Sequence, residues 1–188
     1  MYATARQTVT RSPKGRLPRE MDVVINNGPT PPPTHLIAVY SQASGMQKQR
    51  VSLHPIHGLV MATNCALLPP LPRSEPHVSD YPGCMTSLPV IPLALKSPET
   101  FSMLVEYLYT QNSDSLLRSM LPIAGFGDIP PPAKLSRELG QSCAPITLQV
   151  HLYRIHGLWS NITALGVFDD GLWRLMELAW KVLQDALA

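Results

Sequence analysis

The sequence contains few charged residues. Asp, Glu, Lys and Arg make up 15% of its 188 residues, whereas about 25% is usual in soluble domains. The formal net charge is +2, and the positive excess is confined to the N-terminal stretch, which carries Arg6, Arg11, Lys14, Arg16 and Arg19. Because the rest of the chain is slightly acidic, we expect no direct nucleic-acid binding.

Cysteine is also scarce, and the thiols of Cys65, Cys84 and Cys143 are widely spaced. An odd number at such spacing excludes a disulfide framework and is typical of reduced thiols in the cytosol or nucleus. The start of the chain has no apolar segment of the secretory type. A charge-free run over residues 51–72 is interrupted by histidine, asparagine and proline, which excludes a membrane span. The sequence therefore predicts a nuclear or cytoplasmic protein with no membrane partner.

Recognisable catalytic motifs are missing as well. The sequence has no G-x-S-x-G, no P-loop, no G-x-G-x-x-G and no H-E-x-x-H, the motifs that position nucleophiles, phosphates, dinucleotides and zinc. We therefore expect a protein that is not an enzyme, has no catalytic residues and uses no cofactor or metal.

One cluster leaves an alternative open. His54 and His57 have the spacing H-x-x-H, and Cys65 follows eight residues later, so the three could ligate zinc with Cys84 or His77 as the fourth ligand. Cys65 with His57 is also the nearest approach to a nucleophile and its base. A proline between the histidines favours structural roles instead. The alternative is a small zinc-binding protein or a hydrolase that uses these three residues.

Proline, by contrast, is abundant, with 20 of 188 residues, about twice the average. Because proline interrupts helices and central strands, its clusters divide the sequence into four predicted segments. Residues 1–33 form a disordered, basic and proline-rich tail, in which the apolar run 23–25 is too short to anchor the chain. Residues 34–121 form an α/β core, residues 122–144 a proline-rich connector, and residues 145–188 a C-terminal helical segment.

The predicted tail carries three short signals. The PTPPPT run of residues 29–34 favours polyproline II and serves either as a stiff linker or as a ligand for an aromatic groove. Ser12-Pro13 is a candidate phosphorylation site. Lys14-Gly15-Arg16 is either a solvated patch or a nuclear-import signal.

Hydrophobic periodicity predicts strands at residues 35–40 and 50–53, followed by a helix over residues 56–68. The proline-rich stretch 69–92 is predicted as a loop, with residues 90–93 as an edge strand at most.

Four further helices are predicted. The clearest begins with Ser97 as cap and Pro98 at the first position, and its buried stripe is Phe101, Leu104, Val105 and Leu108. Asp114 caps a short helix over residues 115–121. A helix over residues 146–159 buries Leu148, Leu152, Ile155 and Trp159. The last helix begins at Asp169 and Asp170 and buries Trp173 and Trp180 in the core.

The F-x-x-L-V-x-Y-L-Y-T stretch of residues 101–110 resembles the middle helix of BTB/POZ domains. Upstream, residues 51–54 and the helical run after them are loosely similar to a BTB strand and helix, although a proline-rich insert separates the two regions. The resemblance implies a small BTB-like core that associates with itself or with partners through helix faces.

A broader resemblance, over residues 35–188, is to the Clampless-like proteins of basidiomycete fungi. It is carried by the blocks VSLHPIHG (51–58), NCALLP (64–69), LPVIPL (88–93), the helix of residues 97–110, and GLWSNITALGV (157–167) through Trp173 and Trp180. The family implies a regulatory role in sexual development, in forming clamp cells and maintaining the dikaryon. No catalytic residues come with it.

The sequence thus predicts an α+β fold, a helix-rich mixed domain with a small BTB/POZ-like core and a C-terminal helical extension. It predicts a non-enzymatic regulator that acts through protein-protein interaction. Transcription or cell-cycle regulators are the expected partners, with self-association as a second mode.

Overall fold

The structure, a computed structural model, describes residues 8–9, 17–25, 31–42, 50–74, 84–123 and 127–188. The chain divides into two compact units, Met1–Pro98 and Glu99–Ala188. In the described ranges, the first unit holds all the strands and one short helix, and the second unit holds five helices. The fold class is therefore α+β, as the sequence predicts.

The N-terminal unit is built on a five-stranded sheet in the order β1-β4-β3-β5-β2. The strands are β1 (Thr8–Val9), β2 (Glu20–Ile25), β3 (His35–Ser41), β4 (Val51–Ile56) and β5 (Cys84–Leu95), and helix α1 (Gly58–Asn64) follows β4. β3 is antiparallel to β4 and parallel to β5, and β2 is antiparallel to β5.

The core of this unit forms around the central strand. Residues 35–39 of β3 are buried without alternation, as expected for a strand covered on both faces. On one face a buried cluster contains Leu36, Ala38, Val51, Leu53, Leu88 and Val90, and Met21 and Val23 of β2 pack against it.

β5 is a strand although it contains Pro89 and Pro92, and its register explains why. The Val90 amide donates to the Arg19 carbonyl at 2.8 Å, so these residues form a hydrogen-bonded pair and the backbone of Pro89 faces β3 instead. Pairing with β3 begins only at Val90. The backbone of Pro92 faces the side of β5 on which β2 lies. The ladder with β2 begins at Glu20, opposite Pro89, so no residue of β2 pairs with Pro92. Neither proline therefore removes a ladder hydrogen bond. The prediction of a loop over residues 69–92 is wrong for residues 84–92, which belong to β5.

The C-terminal unit consists of α2 (Phe101–Thr110), α3 (Ser113–Met120), α4 (Pro132–Ser142), α5 (Pro145–Leu165) and α6 (Asp170–Leu187). α6 packs on α3, α4 and α5, and α2 packs on α3 and α5. The largest fully buried side chains of this unit are Phe101, Leu104, Met120, Leu121, Leu148, Leu158 and Ile162. Trp173 and Trp180 are only partly buried, so the core is mainly aliphatic.

The ends of the helices follow local capping chemistry, with two departures from the prediction. Asp169 caps α6 as expected, but Asn112 rather than Asp114 caps α3. Ser97 does not cap α2, because a 3-10 turn over Pro98–Thr100 comes first and Thr100 occupies the cap position. α5 continues past its internal glycine to Gly166, whose φ of 63° ends the helix in the left-handed region that glycine tolerates.

The predicted segments also differ from the structure. Within the tail predicted over residues 1–33, Glu20–Ile25 forms β2, because pairing with β5 supplies stability that a short apolar run lacks locally. The connector predicted over residues 122–144 contains α4. The compact units divide at Pro98 and not at Leu121, since α2 packs on α5 and α3 packs on α6. The described residues do not confirm a BTB-like core over residues 34–121.

Candidate functional site

A polar network surrounds the junction between β4 and α1. The Gly58 amide donates to the Thr34 hydroxyl at 2.7 Å, and Thr34 Oγ1 lies 2.7 Å from His35 Nδ1. His35 Nε2 lies 2.8 Å from the Pro72 carbonyl oxygen. Because a carbonyl only accepts, the tautomer with its proton on Nε2 satisfies every group in this chain of contacts. The buried His35 therefore joins three segments of the unit.

The same junction holds the end of the proline run. His57 Nε2 donates to the Pro31 carbonyl at 2.8 Å, and the Ser74 hydroxyl donates to the Thr34 carbonyl at 2.5 Å. A Cβ at Gly58 would lie 2.9 Å from His35 Cε1, so glycine is needed for this close approach. Residues 31–34 are thus fastened to the N-terminal unit.

The two histidines of the zinc alternative have separate partners. His54 Nε2 lies 3.0 Å from Ser52 Oγ on β4, whereas His57 is bonded to the Pro31 carbonyl. Each imidazole therefore contacts a different part of the protein, His54 the strand β4 and His57 the proline run.

Cys65 is buried at the end of α1, and burial raises the pKa of its thiol to about 11. Zinc ligation and nucleophilic attack both need the thiolate, so this environment opposes both roles. Within the described ranges, no three His, Cys, Asp or Glu side chains form a group that could hold a metal. The structure does not bring His54, His57 and Cys65 together. His77 and the side chain of Cys84 lie outside the part of the chain that the structure describes.

In the C-terminal unit, Asp169 links two helices. Its Oδ1 accepts from the Leu172 amide at 2.9 Å at the start of α6, and its Oδ2 accepts from the Tyr107 hydroxyl of α2 at 3.2 Å. Burial, together with the adjacent Asp169 carboxylate, raises the pKa of Tyr107. The phenol therefore stays protonated as a donor.

α5 caps the end of α3. His151 Nδ1 lies 2.8 Å from the Met120 carbonyl oxygen, and the Arg154 guanidinium donates to the Ser119 carbonyl at 3.0 Å. Carbonyls in the last turn of a helix lack intrahelical partners, and basic side chains complement them. The N-terminal half of α5 is thus bound to the end of α3 by polar contacts.

The face of α5 opposite the buried Leu148 and Ile155 exposes apolar side chains. Ile146, Val150 and Tyr153 are 65%, 50% and 77% exposed. They follow the i, i+4, i+7 spacing and form one row, which we call the α5 stripe. α5 contains no acidic residue, and Arg154 is adjacent to Tyr153. Contiguous exposed apolar patches are a feature of interaction surfaces, so the α5 stripe is the candidate surface of this unit.

α6 provides the comparison within the same unit. Its exposed row at similar spacing consists of Asp170, Arg174, Glu177, Lys181 and Asp185, with charges that alternate in sign. Such a row is typical of a solvated helix face. The α5 stripe differs in having no charge among its three members.

A small cleft lies between α2 and α3. Its volume is about 110 Å³, and its lining includes Ser102, Glu106, Thr110, Asn112, Ser115 and Ser119. The Ser115 hydroxyl donates to Glu106 Oε1 at 3.1 Å, so the carboxylate already has a partner within the protein. The lining contains neither histidine nor cysteine.

Sequence periodicity located the helix that carries the α5 stripe but not the stripe itself. Of the predicted buried face, Leu148 and Ile155 are buried, whereas Trp159 is exposed and stacks on His156. The stripe lies opposite, and its signal was available as the apolar spacing of Ile146, Val150 and Tyr153.

None of the helices in the described part of the chain is long and apolar enough to cross a membrane.

Comparison with protein families gives two matches. Residues 1–96 match the N-terminal domain of Clampless protein 1, and residues 114–188 match the C-terminal domain of Clampless protein 1. The two matched ranges fall in the two compact units. Neither a curated protein nor a solved structure matches the chain.

Proposed function

Since this chain belongs to the Clampless protein 1 family, whose name connects it with clamp formation in fungi, we propose that it is a non-enzymatic regulator of fungal sexual development. It acts by binding other proteins during clamp-cell formation and dikaryon maintenance. Transcription or cell-cycle regulators in the nucleus or cytoplasm are the proposed partners.

The observation that carries this proposal is the α5 stripe. Its three side chains are well exposed, and their neighbours on the helix include Arg154 but no acid. Binding energy at protein interfaces concentrates in a few residues, among which tyrosine and arginine are enriched. Tyr153 is therefore the proposed anchor for the partner.

The zinc or hydrolase alternative has no comparable support. His57 is bonded to the Pro31 carbonyl, and the Cys65 thiol has a raised pKa in a buried position. Both features favour structural roles for these residues.

The test compares two variants that each introduce one carboxylate on an exposed helix face. Val150→Asp lies in the α5 stripe, and Gln184→Asp on α6 is the matched control. Both should leave the free energy of unfolding within about 0.5 kcal/mol of the wild type, because neither site is in the core. Thermal or urea unfolding checks this first.

We expect Val150→Asp to reduce clamp-cell counts in mated cells and to remove the proteins that wild-type protein retains in affinity capture. Gln184→Asp should behave as wild type in both assays. If folded Val150→Asp supports normal clamp formation and retains the same proteins, the α5 stripe is not the binding surface.

A further inference from the structure

β2 is an edge strand of the N-terminal sheet. It is last in the strand order, and among the described residues its ladder runs only to β5, from Glu20 opposite Pro89 to Ile25 opposite Cys84. An edge strand presents one row of backbone donors and acceptors away from its sheet, and such a row can receive a further strand.

The register identifies the residues that form this outward row. Arg19 and Val90 form a hydrogen-bonded pair, because the Val90 amide donates to the Arg19 carbonyl at 2.8 Å. In an antiparallel ladder, hydrogen-bonded and non-hydrogen-bonded pairs alternate. The backbone groups of Met21 and Val23 therefore face β5. Those of Glu20, Asp22 and Val24 face outward.

The side chains of the same three outward residues lie on the exposed face of the sheet. Glu20 and Asp22 are exposed, and Val24 is 52% exposed opposite Met85, which is also exposed. The Ser87 hydroxyl donates to Glu20 Oε2 at 3.4 Å. A strand added at this edge would thus meet two acidic positions and then an apolar one.

Charge disfavours a second copy of β2 as that strand. In an antiparallel pair of two β2 edges, the residues with outward backbone groups must oppose one another. The register with the greatest overlap places Asp22 opposite Asp22, and a shift by two residues toward the N-terminal ends places Glu20 opposite Asp22. A shift by two residues in the other direction places Asp22 opposite Val24, which gives no pair of opposite charges. Like charges directly opposite destabilise strand pairing, whereas basic side chains there stabilise it.

We propose that the outer edge of β2 binds an extended segment of a partner protein as an added strand. That segment carries Lys or Arg at alternate positions, opposite Glu20 and Asp22, and an apolar residue opposite Val24. The inference deepens the proposed partner-binding function by naming a second surface and the chemistry that it accepts.

The test uses the full chain, labelled for amide hydrogen exchange, and two short synthetic peptides. One peptide carries lysine at two alternate positions and valine at the next alternate position, and the other carries glutamate in place of both lysines. In the free protein, the amides of Met21 and Val23 should exchange slowly and those of Glu20, Asp22 and Val24 quickly. The lysine peptide should slow the exchange of the latter three amides, and the glutamate peptide should not.

Two pairs of variants make the test specific. Val24→Pro removes an outward amide that β5 does not use, so it should leave the fold intact and weaken the lysine peptide about tenfold. Val23→Pro removes a ladder amide and should instead lower the unfolding midpoint. Asp22→Lys should weaken the lysine peptide about fivefold, whereas Asp170→Lys on α6, with the same change in net charge, should not.

The proposal is overturned if the amides of Glu20, Asp22 and Val24 already exchange slowly in the free protein. It is also overturned if folded Val24→Pro binds the lysine peptide as tightly as the wild type, or if Asp170→Lys weakens that peptide as much as Asp22→Lys. Because the Val150→Asp experiment reports on α5 alone, failure at β2 leaves the proposed function standing, and the reverse also holds.

Discussion

At the scale of single residues, Asp169 connects two helices of the C-terminal unit through its two carboxylate oxygens. One carboxylate oxygen satisfies the Leu172 amide at the start of α6, and the other accepts from Tyr107 on α2. The same side chain therefore defines where α6 begins and fixes its distance from another helix. Sequence reasoning placed Asp169 at the helix start, but the contact with Tyr107 joins residues too distant in sequence for any local pattern to show.

Asp169→Ala should lower the free energy of unfolding by about 2 kcal/mol. The lost cap contributes about 1 kcal/mol, and the unpaired Tyr107 hydroxyl adds about 1 kcal/mol. Asp170→Ala removes an exposed acid from the same helical turn and should cost only about 0.5 kcal/mol. Urea unfolding of the two single variants checks this. The double variant Tyr107→Phe/Asp169→Ala, which lacks the unpaired hydroxyl, should be more stable than Asp169→Ala alone. Equal losses for Asp169→Ala and Asp170→Ala would contradict the assignment.

His151 gives the C-terminal unit a dependence on pH. Burial lowers the pKa of its imidazole from the ordinary value of 6.5, and Arg154 lowers it further, whereas the Met120 carbonyl acts in the opposite direction. The unfolded chain therefore takes up the proton more readily than the folded chain. Stability should be fully present at neutral pH and should fall as the pH drops through 6.5 toward the lower pKa of the folded state.

His151→Gln should flatten this dependence, because the glutamine side chain does not titrate. The measurement is the urea midpoint at about pH 7 and about pH 5.5, the interval in which a histidine of lowered pKa acts. His156→Gln, an exposed position on the same helix, is the control and should keep the wild-type slope. If His151→Gln and wild type lose the same stability on acidification, His151 is not responsible.

At the scale of elements, local signals predicted α2, α6 and the strands β3 and β4, but missed β2 and most of β5. α2 and α6 were visible because apolar spacing and capping residues lie within a few residues of one another. β5 was hidden by Pro89 and Pro92, whose effect depends on which neighbour each backbone group faces. β2 was hidden because its six residues become stable only through pairing with β5.

The α5 stripe could be predicted from the sequence only in part. The spacing of Ile146, Val150 and Tyr153 is visible in the sequence, but which face of α5 is buried depends on the packing of α2 and α6.

The burial of Leu104 decides which position can be used to test a surface. Leu104 is fully buried, so an aspartate there would unfold the unit rather than test a surface, and Val150 is the suitable position.

At the scale of the whole molecule, the chain consists of two units whose division at Pro98 agrees with the two family matches. The division assigns α2 and α3 to the C-terminal helices. It separates them from the strands with which the sequence-based prediction had grouped them.

A fragment of residues 99–188 should therefore unfold cooperatively, whereas a fragment of residues 122–188 should not. The shorter fragment lacks Phe101 and Leu104, which are fully buried, and their loss leaves a gap in the core worth several kcal/mol. Thermal unfolding followed by circular dichroism distinguishes the two. A cooperative transition in residues 122–188 equal to that of residues 99–188 would place the boundary at Leu121 instead.

The pairing of Glu20 with Pro89 also sets an order of events during synthesis. β3 and β4 can form their hairpin as soon as they leave the ribosome, but β2 must wait until β5 emerges. Such distant pairings raise contact order and slow folding, whereas the helices after Glu99 make more local contacts. The sheet is therefore expected to be the rate-limiting part of folding. Until β5 emerges, β2 is an unpaired strand, and unpaired strands are prone to aggregation.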